Sequence, residues 1–246
     1  MSGAITPADG AAYWLRWQVF VCGALIVLPT AVAAALLPRL RRVAAPLRAT
    51  DLWVPFWARL HPGWLLGYRA FALTAAVALL VRLLVAHGFS VFYFYTQWTF
   101  LLVTIYFATS AGATMLTDVT FWGLLVPLFY RDKFGLSLVS DGMHSLNAVF
   151  LIVDTILNNM PFPWYRMAFF VFWSCTYVTF QWLLHACGGI SWWPYPFLDL
   201  SSSGAPLWYL GMAIAHIPCF FLYWLIVKAK HTYFPRMFPH AYARTS

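Results

Sequence analysis

Hydrophobic positions dominate the chain in long runs broken by short polar intervals. Apolar stretches fall near residues 17 to 38, 70 to 87, 92 to 111, 113 to 130, 142 to 160, 165 to 187 and 207 to 227. Several reach the roughly 20 residues that cross a hydrocarbon core as a helix, and little lies between them. The pattern predicts an all-α polytopic transmembrane bundle of about seven spans, forming one domain over residues 1 to 246. Residues 92 to 130 carry no charge except Asp118. Drawn as one helix they would extend roughly 58 Å, about twice the core thickness, so a tight turn is expected near Ser110, Ala111 and Gly112.

Inside the fifth run the polar positions are themselves periodic. At 100° per residue, His144, Asn147, Asp154 and Asn158 stay within an arc of about 80°, so one face of that helix carries a polar stripe. An ionisable group in a spanning helix costs roughly 2.5 to 3.5 kcal/mol on insertion scales and usually faces a cavity, a partner or a substrate path.

Composition strengthens the membrane reading: 63% of residues are hydrophobic, 20% aromatic and only 9% charged. The net charge of +8 sits in loops and tails beside the apolar runs and forms no folded basic face, which argues against a nucleic-acid partner. Arg39 to Arg69 holds six arginines against the single acid Asp51, and the C-terminal tail carries Lys228, Lys230, Arg236 and Arg244. Both basic segments are expected on the cytoplasmic side. An even number of spans between them then puts the N-terminus outside and the C-terminus in the cytoplasm. The first ten residues lack a basic region, so the first run reads as a retained span. The four cysteines show no metal-ligand or disulfide spacing and read as packing residues.

With that orientation Thr96, His144 and His185 reach one layer near the outer ends of their spans. Gln181 and Ser174 follow His185 on its helix face at i−4 and i−11. Aromatics mark the same layer, with Tyr95 and Trp98 entering one span and Trp193 and Tyr195 following another. A threonine hydroxyl becomes a nucleophile when a base takes its proton, and histidine is suited to that near neutral pH. Thr96 with His144 meets the requirement. Asn147, Gln97, His185 or the Trp98 indole are the candidate oxyanion donors, and Tyr95, Gln181, Trp193 and Tyr195 the candidate pocket wall. Hydroxyls in spans also commonly bond back to a carbonyl one turn away.

The deeper group of Asp118, Asp154 and Asn158 reads either as an ion path or as hydrogen-bonded glue between helices. His216, two residues before Pro218, is expected to satisfy a carbonyl freed by that proline. His144, His185 and His216 form no HxxxH pattern, and glutamate is absent, which excludes HExxH zinc chemistry. No metal and no cofactor are expected.

The words FYFYTQWTF (92 to 100), MHSLNAVFLIVDTILN (143 to 158), WLLHACGGISWWPYPFLDL (182 to 200) and APLWYL (205 to 210) resemble plant multi-pass proteins of the rolling-stone-like group. That group looks like a distant branch of the androgen-induced membrane hydrolase family. The resemblance implies a catalytic threonine at Thr96 and a catalytic histidine at His144. It also implies hydrolysis of lipid acyl esters, specifically fatty acid esters of hydroxy fatty acids, with the bilayer and the lipid substrate as partners. The runner-up expectations are a non-enzymatic protein of adhesion, fusion or scaffolding, and a small-solute transporter using the acids. Plasma membrane and endoplasmic reticulum are equally compatible locations.

Overall fold

The computed structural model describes residues 10–44, 54–105 and 138–241, with the backbone alone for 138–145 and 147. The described chain is helical: α1 (Gly10–Trp14), α2 (Trp17–Val43), α3 (Pro62–His87), a 3-10 turn (Gly88–Tyr93), α4 (Tyr95–Ile105), α5 (Leu138–Leu157), α6 (Arg166–Ala186), a second 3-10 turn (Pro196–Leu198) and α7 (Ala205–Met237). Strands are absent among the described residues, and an isolated bridge joins Pro55 to Asn158.

Four helical segments are long and apolar enough to cross a membrane: Trp17–Val43, Pro62–Tyr93, Arg166–Ala186 and Ala205–Met237. This is the architecture of an integral membrane protein. The apolar part of α5 among the described residues, Ala148–Leu157, is shorter than a span. The expected span near 113 to 130, with Asp118, and the turn at Ser110 to Gly112 lie outside the described residues.

Two observed helices run past the expected C-terminal ends of their spans. α2 passes Pro38 to reach Val43, and α7 passes Lys228 and Lys230 to reach Met237. The tail lysines are therefore helical, and Lys230 is buried at 4% exposure, not part of a solvated basic tail.

Helix ends follow local chemistry. Pro62 opens α3, where its missing N–H costs nothing, and the His61 Nδ1 accepts from Gly63 N at 3.1 Å. Gly88, at φ 62°, ends that helix, and Gly188, at φ 72°, follows α6. Both backbones are left-handed, a conformation glycine adopts without a Cβ clash. Beyond α6, Gly189 N bonds the Leu184 carbonyl at 2.8 Å and closes the terminus.

The beginning of α2, the start of α4, the C-terminal half of α6 and the start of α7 gather at one end of the bundle. There Tyr13, Val19, Cys22, Tyr177, Tyr195, Phe197, Leu198 and Tyr209 form a buried cluster. A second cluster of Phe162, Phe170, Cys219, Phe220 and Val227 joins α6 to α7, and a third of Ala76, Leu80, Leu83, Val91 and Phe100 joins α3 to α4. Large apolar side chains such as Phe20, Leu28, Leu66, Phe71, Leu207 and Ile217 point outward. A lipid-facing bundle has this apolar exterior, since hydrocarbon solvates such side chains as well as a protein core does.

Candidate functional site

The charged end of the bundle is built around the C-terminus of α5. Asp154, 3% exposed, receives Arg69 Nε at 2.7 Å and Arg69 Nη2 at 3.3 Å, and its other oxygen also accepts from Asn158 Nδ2 at 2.8 Å. The last carbonyls of a helix lack partners within it. Here Lys230 Nζ donates to the carbonyls of Thr155 and Asn158 at 2.8 and 2.7 Å, the Trp57 indole to that of Ile156 at 3.1 Å, and Phe56 N to that of Leu157 at 2.8 Å. The ammonium also favours the negative end of the helix dipole and lies 5.1 Å from the Phe56 ring centroid. The expected inner pair Asp154 and Asn158 is thus present as helix glue, with its acid held by a guanidinium. Asp118, its expected companion, lies outside the described residues.

A different environment lies between α2, α4, α6 and α7. A half-enclosed cavity of about 150 Å³ is walled by Leu25, Ile26, Met167, Val171, Val178 and Met212, among other apolar side chains. Its wall runs along α6 from Met167 to Val178, about 16 Å at helical rise, so the cavity is elongated along the bundle. A mostly apolar lining of this kind suits an apolar guest. Tyr95, Thr96, Ser174 and His216 are among the polar residues that line it.

Three of those four residues form one chain of hydrogen bonds. The Tyr95 hydroxyl lies 2.7 Å from Ser174 Oγ, and Ser174 Oγ lies 2.7 Å from His216 Nε2. His216 Nδ1 in turn lies 2.7 Å from the Met212 carbonyl. A carbonyl only accepts, so in the neutral ring Nδ1 carries the hydrogen and Nε2 accepts from Ser174. With its proton so committed, Ser174 Oγ accepts from Tyr95. Phe170 packs on the imidazole with centroids 4.6 Å apart, fixing the plane of the ring. His216 does not meet the carbonyl expected of it: Pro218 removes the N–H that would bond Ile214, whereas the imidazole reaches Met212.

The sequence-predicted site divides on inspection. Tyr95, Thr96 and Tyr195 line the cavity. Thr96 Oγ1 donates to Gln97 Oε1. His144 and Asn147 lie on α5, with side chains outside the described residues. The Trp98 indole is already donated to the Phe92 carbonyl at 2.8 Å, so it is not poised for an oxyanion. Gln181, fully buried, donates through Nε2 to the Tyr93 carbonyl at 2.9 Å, and the Trp193 indole donates to the Tyr13 hydroxyl at 3.2 Å. Neither lines the cavity. Burial pushes the Tyr13 hydroxyl up to about 12, so it stays protonated there. His185 stacks on Trp193 with centroids 4.2 Å apart and has no hydrogen-bond partner among the described residues. It is a packed ring that does not line the cavity.

Comparison with known proteins adds no assignment. No family model, curated protein or solved structure matches the chain.

Sequence reasoning missed Ser174 and His216 as a pair, although depth alone would have matched them. Ser174 lies eleven residues before His185 on α6, and His216 eleven residues after Ala205 on α7. Both therefore lie about 16 Å from the aromatic end.

Proposed function

We propose that this protein is a seven-span membrane hydrolase, N-terminus outside and C-terminus cytoplasmic, that cleaves the acyl ester of a lipid. A segment of the acyl chain occupies the cavity between α2, α4, α6 and α7, and a wall hydroxyl attacks the ester carbonyl. The observation that carries this reading is the combination of an apolar, elongated cavity with hydroxyl and imidazole groups set into its wall. Apolar lining selects the hydrocarbon portion of a ligand, and a few placed polar groups orient its reacting end. The resemblance to membrane threonine hydrolases supports the same reaction class, with esters of hydroxy fatty acids as substrates. It names Thr96 as nucleophile and His144 as base; Ser174 is the other aliphatic hydroxyl among the described wall residues.

The pairing of Asp154 with Arg69 and Asn158 favours helix glue over an ion path at that residue. The test uses the full chain reconstituted in phospholipid vesicles containing a fatty acid ester of a hydroxy fatty acid. Wild-type protein is expected to release free fatty acid and to react with a fluorophosphonate probe. The double variant Thr96→Ala, Ser174→Ala should do neither. Release no faster than from protein-free vesicles, together with an unlabelled chain, ends the proposal.

A further inference from the structure

We infer that Ser174 is the nucleophile of this cavity, with His216 as its general base and Tyr95 as a positioning residue. The inference rests on the hydrolase reading and specifies which hydroxyl performs it. Among the described residues, the hydrogen bond formed by the Thr96 hydroxyl goes to the side-chain oxygen of its neighbour Gln97. Ser174 instead sits 2.7 Å from an imidazole nitrogen whose ring is set by Met212 and Phe170. That is the geometry in which a weak hydroxyl nucleophile becomes reactive: the base lies within hydrogen-bond reach, and a third group orients the base.

The groups also come from different helices and meet inside the cavity. Ser174 is eight residues beyond Arg166, about 12 Å along α6, and His216 lies on α7. Both line the space that would hold the acyl segment. A serine that only bonded its own helix would donate to a carbonyl one turn back, as Thr179 does to Cys175 and Thr99 to Tyr95. Ser174 makes its bonds across the bundle.

In the first step Ser174 Oγ attacks the ester carbonyl carbon while its proton passes to His216 Nε2, forming a tetrahedral adduct. The adduct collapses with cleavage of the bond to the alcohol oxygen, which takes the proton from His216 and leaves as the free alcohol. The acyl group remains on Ser174. A water molecule then attacks the acyl carbon, giving its proton to His216. Collapse releases the fatty acid and returns the proton to Ser174. Nothing is oxidised or reduced, and water is the sole co-reactant. Tyr95, whose hydroxyl donates to Ser174 Oγ in the resting state, holds the lone pair and the proton of that oxygen in the orientation the attack requires.

The deciding experiment treats full-length protein in vesicles with a fluorophosphonate probe and locates the adduct by peptide mass spectrometry. The adduct is expected on Ser174 in wild-type protein and in Thr96→Ala. Ser174→Ala should lose labelling and ester release by on the order of 100-fold or more, with a melting temperature lowered by only about 2 to 4 °C. His216→Gln should slow labelling and remove the limb of the pH–rate profile that reports the base. Tyr95→Phe should reduce kcat with little change in KM. An adduct on Thr96, or ester release by folded Ser174→Ala equal to wild type, overturns the inference while the hydrolase reading stands. A wild-type chain that neither reacts with the probe nor releases fatty acid overturns both. Mapping on wild-type protein decides the matter even if a variant fails to fold.

Discussion

Two buried polar regions lie in this bundle and answer opposite problems. At the charged end, Arg69, Asp154, Asn158 and Lys230 close on one another and on the carbonyls that finish α5. Along the cavity, Tyr95, Ser174 and His216 form a neutral chain whose members border open space. The first arrangement spends its polarity on holding four segments together. The second leaves a hydroxyl and an imidazole where a ligand can reach them. Burial of polar groups alone therefore does not mark a site; Asp154 and Asn158 border a space of only about 10 Å³, whereas Tyr95, Ser174 and His216 border one of about 150 Å³.

The sharpest way to break this contrast is to remove a partner at the charged end. Asp154→Ala takes the carboxylate away from the half-buried Arg69 and from the buried Asn158 amide. It should destabilise the fold by about 3 to 5 kcal/mol, read as a large drop in thermal midpoint and in recovery of folded protein. A mild effect would mean that the pair is solvated and the region is no structural knot. Lys230→Met keeps the stem but deprives the Thr155 and Asn158 carbonyls of their donor. A cost of about 1 to 3 kcal/mol is expected from the same melting curves.

The cavity should respond in the other sense. Ser174→Ala removes one hydrogen-bonding group from a neutral chain and should cost about 1 kcal/mol of stability, while ester release falls as described above. A stability loss as large as that of Asp154→Ala would assign Ser174 to the scaffold. The smallest change is expected for His185→Phe, because the ring stacks on Trp193 and makes no hydrogen bond among the described residues. The melting temperature should stay within the equivalent of about 0.5 kcal/mol. Ester release should also be unchanged, in contrast to His216→Gln.

Particular residues show how far the sequence could be read. The period of the apolar runs located α2, α6 and α7, because a spanning helix must be apolar over its whole length. It placed the ends less well. The expected stop of the first span at Pro38 and of the last at Val227 were both passed, since a basic residue ends a hydrophobic run without ending a helix. The cavity wall was partly legible: aromatics entering α4 pointed to Tyr95, and those after α6 to Tyr195. The partners of each polar group were not. His185 was expected beside the reacting hydroxyl and His216 at a carbonyl freed by Pro218, yet one stacks in an aromatic cluster and the other meets a serine on a neighbouring helix.

Amino-acid order alone determined that this chain is a helical membrane bundle, because hydrocarbon forces each crossing segment to bond its own backbone and to expose apolar side chains, and both demands are local. Which hydroxyl meets which imidazole was decided only by the packing of α6 against α7 and of α4 beside them. A side chain's partner on another helix depends on rotation about the helix axis and on relative depth, and neither is encoded in the spacing of residues along one helix.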